Sequence, residues 1–405
     1  MKDDKIIKIA DHVSWIGILD YDIVSFDIVM ETLYGTTYNS YFIDAGKKVI
    51  IDTSKARFEE TYLNKVKKVC NPEEIDFIVL NHTEPDHSGN LGALLELAPN
   101  ATVVGSGQAL NYISEITDKK FKTLKVKDGD TIDLGNKTLK IIGAPNLHWP
   151  DTIYTYLVED RLLFTCDSFG AHYCSDKIFD DEIENHEEAF RYYFDVILKP
   201  FSKFMLKAIE KISDLDIAAI CPGHGPVLRT NWKKYVDLSA EIATKYLETT
   251  QSAKNKVLLA YISAYGYTAG MADSIRTGLQ ETGNIEVEIA DIENMLLGEL
   301  EEKLVKADAV IIGSPTFNQN TLLPVYKFFS IVNPIRDKGK LAAAFGSYGW
   351  SGEAVKLIED HLSNLKFRIA LEGLSEKFNP YNGKAEKFRE FGREFAKKLV
   401  ESQGS

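Results

Sequence analysis

The 405-residue sequence predicts an α/β protein made of two domains, and three observations support this. The chain is longer than a single hydrophobic core normally requires. Up to residue 250, runs of strands are followed by helices in two successive halves, which favours a sandwich of two sheets with helices outside. From residue 251 onward, single strands and helices alternate, which favours a doubly wound parallel sheet. The polar segment Gln251 to Lys256 is the expected linker between domains 1–250 and 251–405.

Composition narrows the class of protein. Hydrophobic residues make up 44% and charged residues 26% of the chain, without a long apolar span, so we expect no membrane association. The charged first ten residues lack the apolar core of a signal peptide, which predicts a cytoplasmic location. The net charge of −13 argues against nucleic-acid binding. The four cysteines form no Cys-x-x-Cys pair, which excludes a rubredoxin-like or ferredoxin-like module, and we expect all four to be buried apolar residues.

Periodicity and turn residues predict the elements of the first domain. Three strands between residues 124 and 143 are separated by short Gly-containing turns and are predicted to be antiparallel. The predicted helices span 59–69, 91–97, a segment opening after Ser106, and 232–249. The predicted strands are 13–18, 37–43, 48–51, 75–80, 103–104, 124–126, 131–134, 138–143, 152–158, 161–166 and 217–220.

The segment from Asn81 to Gly89 carries four metal-binding side chains within six residues: His82, Glu84, Asp86 and His87. It follows an apolar run typical of a buried strand. Pro85 is expected to block a helix and to keep Glu84 extended. His82, Glu84 and Asp86 would then point to one side, as alternating residues do along extended backbone. A charged surface loop is the alternative interpretation of such a cluster.

Further metal-binding side chains follow later predicted strands. His148 lies in a proline-bounded loop, Asp167 directly follows the strand at 161–166, and His224 lies in a Gly/Pro-rich turn. Together with the segment at 81–89, four strand-end loops present His or carboxylate groups. This convergence favours a metal site over the surface-loop interpretation.

Residues 1–250 resemble the metallo-β-lactamase fold, whose motif His-x-His-x-Asp-His is followed by a His, an Asp and a last His. The sequence departs from this motif at Glu84, where the family has histidine. Because carboxylates make the site harder and richer in oxygen than a zinc site, the departure favours a non-haem diiron centre. The resemblance implies that the first iron binds His82, Glu84, His148 and Asp167, and that the second binds Asp86, His87, Asp167 and His224.

The second domain has apolar strands at 257–262, 285–289, 309–313 and 341–345 and a helix at 269–280, with Gly, hydroxyl and aromatic residues after three of the strands. Neither a Walker loop nor Gly-x-Gly-x-x-Gly is present, which disfavours a nucleoside triphosphate or a dinucleotide. Residues 255–402 resemble flavodoxin. The resemblance implies FMN, with its phosphate at Ser263, Tyr265, Gly266, Tyr267 and Thr268. The isoalloxazine would lie between Pro315, Thr316, Phe317 and Asn318 on one side and Ser347, Tyr348, Gly349, Trp350, Ser351 and Gly352 on the other.

A diiron domain fused to a flavodoxin-like domain is the arrangement of the flavodiiron proteins, or A-type flavoproteins. This resemblance implies the reduction of dioxygen to water, of nitric oxide to nitrous oxide, or of both, with electrons relayed through FMN. The expected donor is rubredoxin, with direct reduction by a deazaflavin cofactor as the alternative. The family also implies a head-to-tail homodimer, or a pair of such dimers, that places one subunit's FMN beside the other's irons.

Two other classes of function stay open on the residues alone. A zinc hydrolase of the metallo-β-lactamase type would fit the fold but not Glu84 or the flavin domain. An electron carrier or redox sensor without turnover would fit the cofactors but not a fully ligated metal site. His172 is expected either to support a metal ligand or to be structural. Tyr192 and Tyr193 are expected to include a hydroxyl facing the pocket, with packing as the alternative role.

Overall fold

The computed structural model describes residues 4–26, 30–251, 255–378 and 383–403. The chain forms two compact units, Met1–Tyr246 and Leu247–Ser405. Residues 252–254 of the predicted linker lie outside the described residues, whereas Gln251 ends a helix and Lys256 begins a strand. No helix within the described ranges combines the length and the apolar character needed to cross a bilayer.

The first unit alternates short strands with helices of about one to five and a half turns. Its helices are α1 Glu59–Val69, α2 Pro85–Ser88, α3 Leu91–Leu97, α4 Gly107–Ile116, α5 Glu187–Tyr193, α6 Ser202–Ile212 and α7 Trp232–Gln251, with 3₁₀ turns at Ala56–Phe58, Pro72–Glu74 and Lys199–Phe201 and a π-helical turn at Phe194–Leu198. Its strands are β1 Ile7–Ala10, β2 Val13–Trp15, β3 Ile18–Asp20, β4 Ser25–Phe26, β5 Met30–Glu31, β6 Thr36–Tyr38, β7 Tyr41–Asp44, β8 Lys48–Ile51, β9 Ile75–Val79, β10 Thr102–Gly105, β11 Lys122–Lys125, β12 Thr131–Asp133, β13 Thr138–Gly143, β14 Ile153–Leu157, β15 Leu162–Cys166 and β16 Ala219–Pro222.

These strands form two main sheets that face each other. Within the described residues the first sheet has the order β1-β2-β7-β8-β9-β10-β11, and the second has the order β12-β13-β14-β15-β16. Inward-facing residues of both sheets, such as Val49, Ile51, Ile141 and Phe164, form one buried cluster. Residues whose side chains point to the opposite face of the sheet, such as Ile50, belong to a second buried cluster, which also contains residues of the helices. The predicted sandwich with helices outside is therefore confirmed.

The structure corrects three details of the first domain. The strand predicted at 124–126 is β11, which pairs in parallel with β10 at the edge of the first sheet instead of joining an antiparallel group. The parallel pairing follows from helix α4, because a crossover helix returns the chain in the same direction. The strands predicted at 13–18 and 37–43 are each interrupted, and β3 and β6 form a separate ribbon. The backbone passes so close at Gly17 that a Cβ there would lie 2.5 Å from the Tyr38 carbonyl oxygen.

The third correction concerns Pro85. This residue begins the short helix α2 instead of blocking it, because a proline at the first helical position lacks only an N–H that has no helical partner there. Glu84 precedes the helix with φ −53° and ψ 141°, as extended as predicted. Asp86 and His87 consequently project from a helical turn, whereas His82 and Glu84 project from the loop before it.

The second unit is a parallel sheet of the order β18-β17-β19-β20-β21, with β22 also pairing with β20. The order reverses at β17, and apolar clusters cover both faces of the sheet, which confirms the predicted doubly wound arrangement. Its strands are β17 Lys256–Tyr261, β18 Glu286–Asp291, β19 Ala309–Gly313, β20 Leu341–Tyr348, β21 Arg368–Ile369 and β22 Leu374–Lys377. Its helices are α8 Tyr267–Gln280, α9 Leu297–Lys306, α10 Leu323–Ser330, α11 Pro334–Asp337, α12 Glu353–Asn364 and α13 Ala385–Gln403.

Helices α8 and α13 cross at two glycines. A Cβ on Gly278 would lie 2.0 Å from the Arg389 carbonyl oxygen, and one on Gly392 would lie 2.3 Å from the Ile275 carbonyl oxygen. The two helix backbones therefore touch directly, and side chains at these positions would push them apart. Helix α8, which begins beside Gly266, is therefore positioned by its contact with α13.

Candidate functional site

Four strand ends bring seven side chains together at one edge of the first unit. The loop after β9 supplies His82 and Glu84, and α2 supplies Asp86 and His87. The segment after β13 supplies His148, while β15 and β16 end next to the last two members of the cluster, Asp167 and His224. All seven residues singled out in the sequence lie in this cluster.

The first group of side chains surrounds one carboxylate oxygen of Glu84. Its Oε2 lies 3.2 Å from His82 Nε2 and 3.0 Å from His148 Nε2. Asp167 Oδ2 completes the group at 3.6 Å from His82 Nε2 and 3.5 Å from His148 Nε2. Four ligand atoms at these separations can surround a single metal ion.

The second group lies on the other side of Asp167. Asp86 Oδ2 is 3.1 Å from His224 Nε2 and 3.5 Å from His87 Nε2. Asp167 Oδ1 is 3.1 Å from His87 Nε2 and 3.4 Å from His224 Nε2. Because its two oxygens face different groups, Asp167 is placed to bridge two ions.

The buried carboxylates fit bound cations. Both carboxylate oxygens of Asp86 and the Oδ2 atom of Asp167 are buried and make no hydrogen bond within the described part of the chain. Such atoms are costly to bury unless a cation compensates them. Burial would raise the pKa of Asp167, but the neighbouring imidazoles, His87 first, lower it well below its usual value. The carboxylate is therefore available as an anionic ligand.

In three of the imidazoles, the Nδ1 atom, which is not directed at the ligand groups, contacts a different neighbouring group. His82 Nδ1 faces the carboxylate of Asp151, with both oxygens at 3.2 Å. His224 Nδ1 donates to the main-chain oxygen of Thr37 at 2.6 Å. His87 Nδ1 lies 3.6 Å from the sulfur of Cys166. Groups of this kind orient a ligating imidazole from behind.

Sequence reasoning missed Asp151 and Cys166. The only available signal for Asp151 was its place three residues after His148, and an Asp in a proline-containing loop is common. Burial would raise the pKa of Asp151, but hydrogen bonding by His82 lowers it below its ordinary value, so the carboxylate is ionised. Cys166 is buried as expected, whereas Cys70 and Cys174 are only partly buried, so the prediction of four buried cysteines was wrong for those two.

His172 and Tyr193 pack around the second group. The ring centroid of His172 lies 5.4 Å from that of His224 and 4.8 Å from that of Tyr193. The Tyr193 hydroxyl donates to Asp167 Oδ1 at 3.2 Å. Tyr192 is 42% exposed and points elsewhere, into a cavity of about 130 Å³ that also includes Thr32, Leu33, Tyr34, His172, Glu188 and Ala189. Of the two tyrosines, Tyr193 has the hydroxyl that reaches the metal-binding groups.

The loop after β17 has the form expected for a phosphate site. Gly266 adopts φ +79° immediately before α8, and a Cβ there would meet no atom within 4 Å. The Ser263 hydroxyl accepts a hydrogen bond from the Ala269 N–H at 3.2 Å. The Thr268 hydroxyl lies 2.8 Å from that of Ser347, which joins this loop to the end of β20. A helix N-terminus with open space and hydroxyls beside it suits a phosphate.

The loops that follow β19 and β20 form an open cleft of about 310 Å³. The Thr316 N–H donates to the Ser347 carbonyl at 2.9 Å, which holds the loops side by side. Trp350 is 96% exposed at the cleft, and the rings of Tyr265 and Phe317 stack with centroids 6.2 Å apart. The cleft is lined by Thr316, Asn318, Gln319, Trp350 and Ser351. A flat aromatic ligand would cover this exposed aromatic surface.

Phe378 is a further aromatic residue beside these loops, and no sequence signal indicated it. A Cβ on Gly349 would lie 2.7 Å from its ring, and the Tyr267 ring centroid lies 6.5 Å away. Its N–H donates to the Tyr348 carbonyl at 2.8 Å, next to the pairing of β20 with β22. Chain pairing across the sheet brings it there, which local sequence does not reveal.

Comparison with known families agrees with this geometry. Residues 36–225 match the ODP family beta lactamase, and residues 259–391 match flavodoxin. The chain is 39% identical to Flavo-diiron protein FprA2 of Clostridium acetobutylicum over 97% of its own length and 99% of that protein. It is 37% identical to the Type A flavoprotein fprA of Rhodobacter capsulatus over 97% of this chain and 92% of that protein.

Solved structures show the same two-unit fold. The rubredoxin oxygen:oxidoreductase of Desulfovibrio gigas matches with a TM-score of 0.69 at 28% identity, covering 99% of this chain and 100% of that one. The flavodiiron protein of Giardia intestinalis matches with a TM-score of 0.66 at 31% identity, covering 98% and 97%. The family carries a non-haem diiron centre and FMN, and both candidate sites fit these groups. The predicted family is thus confirmed: the chain belongs to the flavodiiron proteins, a family of oxidoreductases also called A-type flavoproteins.

Proposed function

We propose that this chain reduces dioxygen to water, nitric oxide to nitrous oxide, or both, at a non-haem diiron centre. One observation carries the proposal: two adjoining groups of ligand atoms share Asp167, and the first contains Glu84. Carboxylate-rich sites favour iron, whereas structural and catalytic zinc sites are built mainly from nitrogen and sulfur. A paired site is also what a reaction involving several electrons requires.

The proposed ligands follow the two groups. His82, Glu84, His148 and Asp167 would hold the first iron, and Asp86, His87, His224 and Asp167 would hold the second. When bound, the irons supply open positions for the gas and two electrons, and FMN supplies two more, which together suffice to take dioxygen to two waters. Reduction of two nitric oxide molecules to nitrous oxide consumes only two of these electrons.

The surrounding residues determine how the site is reached. The side chains of His148 and Glu84 are 20% and 15% exposed, whereas those of His224 and Asp86 are 2% and 6% exposed. A small molecule therefore meets the first group before the second. The Tyr193 hydroxyl steadies Asp167 by donating to the oxygen that faces the second group. Its own proton is firmly held, because burial and the charge of Asp167 raise the pKa of Tyr193 well above its usual value.

The FMN residues would be those of the three loops of the second unit. Ser263, Tyr265, Gly266, Tyr267 and Thr268 would hold the phosphate, and the helix N-terminus would favour its charge. The loops 315–318 and 347–352 would enclose the isoalloxazine, with Trp350 or Tyr348 near the ring. The exposed aromatic groups at this cleft give the flavin surface to stack on.

The assembly and the donor are part of the same proposal. The chain would act as a head-to-tail homodimer, alone or as a pair of dimers, in which one subunit's FMN reduces the irons of the other. A sample diluted until it is monomeric should then lose nearly all turnover, and full activity there would refute the arrangement. Rubredoxin is the proposed donor, in line with the name of the Desulfovibrio gigas relative.

The decisive experiment separates substrates and donors. Anaerobically reduced protein is offered dioxygen or nitric oxide, with rubredoxin or a reduced deazaflavin as the donor, while gas consumption is followed. We expect consumption of at least one gas with rubredoxin. No consumption of either gas, with the flavin remaining reduced, would instead favour an electron carrier. Metal analysis provides the second test, since zinc together with esterase or lactamase activity would identify a hydrolase.

A further inference from the structure

Asp151 is a fully buried carboxylate in the segment that follows His148. Its two oxygens lie 3.2 Å from His82 Nδ1. Its Oδ2 atom also accepts hydrogen bonds from the Thr83 N–H at 2.8 Å and the Thr83 hydroxyl at 2.7 Å. This carboxylate therefore ties the loop that carries His148 to the loop that carries His82.

These contacts fix the proton on the His82 ring. A neutral imidazole has one nitrogen that donates and one that accepts, and an ionised carboxylate only accepts. Facing Asp151, Nδ1 must be the donor, so the lone pair is on Nε2. That atom is the one turned toward Glu84 and Asp167, at 3.2 and 3.6 Å. The tautomer required of a metal ligand is thus the only one compatible with the carboxylate.

We propose that Asp151 is a positioning residue, which sets the tautomer and the ring angle of His82 for metal binding. The inference rests on the diiron centre proposed above. Among the described residues, Asp151 is the carboxylate outside the two ligand groups that is hydrogen-bonded to a ligand imidazole. His224 relies instead on the main-chain oxygen of Thr37, and His87 on contact with a thiol.

The Asp151→Asn variant tests the tautomer directly. An amide has one acceptor oxygen and one NH2 donor. If its oxygen continues to accept from the Thr83 N–H and hydroxyl, its NH2 group replaces Oδ1 and donates to His82 Nδ1. The ring must then place its proton on Nε2, where it blocks the metal. The change is nearly isosteric, so the fold should be retained.

The control is Thr83→Val, which removes the hydroxyl that donates to Asp151 but keeps the carboxylate facing His82. Metal-free full-length protein and both variants are titrated anaerobically with ferrous iron, followed by metal analysis and Mössbauer spectroscopy of ⁵⁷Fe. Far-UV circular dichroism and FMN content report folding. We expect the wild type to take up two irons per chain. Asp151→Asn should bind one of them about 10- to 100-fold more weakly and lose one spectral component, and Thr83→Val should resemble the wild type.

Three outcomes would overturn the inference. If Asp151→Asn bound both irons as tightly as the wild type with an unchanged spectrum, Asp151 would not act through His82. Equal weakening by Thr83→Val and Asp151→Asn would show that the carboxylate merely anchors the loop. A wild-type protein that takes up no pair of irons would remove the proposed function itself, and the inference with it.

Discussion

The metal-binding edge of the first unit and the flavin-binding edge of the second unit are built in opposite ways. At the metal edge, ionisable side chains are buried and contact one another, and partners such as Asp151 and Thr37 hold the imidazoles from behind. At the flavin edge, aromatic side chains are exposed, with Trp350 almost completely so. The first site is therefore arranged by the protein before its ligand arrives. The second depends on its ligand to cover apolar surface, so substitutions should have larger effects at the metal edge.

The largest effect is expected from Asp167→Asn, since this carboxylate contacts both ligand groups. An amide has only one acceptor oxygen and no charge with which to join two cations. Bound iron should fall below one per chain, and turnover should fall by more than the ~100-fold that loss of an outer partner costs. Metal analysis and gas consumption measure this, with FMN content as the internal control. Retention of two irons would contradict the expectation that substitutions at the metal edge have the largest effects.

Gly223→Ala should damage the second ligand group selectively. A Cβ at this position would lie 2.6 Å from His87 Cε1 and 3.2 Å from the backbone of Cys166, so the imidazole has to move. We expect the affinity for one of the two irons to fall about tenfold or more, as for the loss of a supporting partner. Ferrous titration checks this. Gly298→Ala is the matched control, because a Cβ there would meet no atom within 4 Å and should leave both irons in place.

His186 should make the first unit sensitive to mild acid. Burial lowers its pKa from 6.5 to about 4, and its ring stacks on Tyr235. The unfolded chain therefore binds a proton below pH 6.5 that the folded chain takes up only near pH 4, so stability is complete above pH 6.5 and falls as the pH drops to 4. The loss approaches about 3 kcal/mol.

The measurement is urea unfolding of metal-free protein between pH 7 and pH 4. The His186→Phe variant keeps an aromatic ring at the site and should lose less stability than the wild type over that range. The difference between the two pH profiles isolates His186 from other titrating groups. Parallel profiles would mean that this histidine is protonated in the folded protein as readily as in the unfolded chain.

The smallest effect is expected from Trp350→Ala. Because the side chain is 96% exposed, its removal disturbs little packing in the unit, and only the proposed stacking on the flavin would be lost. An aromatic pair contributes about 0.5–1.5 kcal/mol, which corresponds to FMN binding that is weaker by roughly two- to twelvefold. Fluorescence titration with FMN measures this, and Leu296→Ala, another exposed apolar residue, is the control. Complete loss of FMN would show that the cleft is more preformed than its exposure indicates.

Local patterns predicted those features that depend on a few neighbouring residues. Helix α1 has the predicted bounds, Glu59–Val69, because a charged and apolar period of helical length identifies it. The ligands at strand ends were also accessible, since polar groups directly after apolar runs are visible without knowing the topology. Glu84 could also be recognised from the sequence alone, because a carboxylate in place of a motif histidine favours iron over zinc.

Features that depend on how distant segments of the chain pair could not be predicted from the sequence. β11 is short and exposed, so its parallel pairing with β10 is determined by helix α4 between them. Asp151 becomes significant only when its loop is placed against His82, and Phe378 only when β22 pairs with β20. The helix starting at Pro85 was missed for a different reason, because a proline that ends one helix can begin another.

The glycine crossing of α8 and α13 has a consequence for biosynthesis. Helix α8 follows the loop that would bind the phosphate, yet the backbone it packs against belongs to α13, which lies more than 100 residues later in the sequence. During translation the first unit can fold once its own residues have emerged, because domains generally fold as units and Met1–Tyr246 form a compact one. The second unit cannot complete the packing of α8 until α13 has emerged from the ribosome, so the metal site would be able to form before the flavin site on a nascent chain.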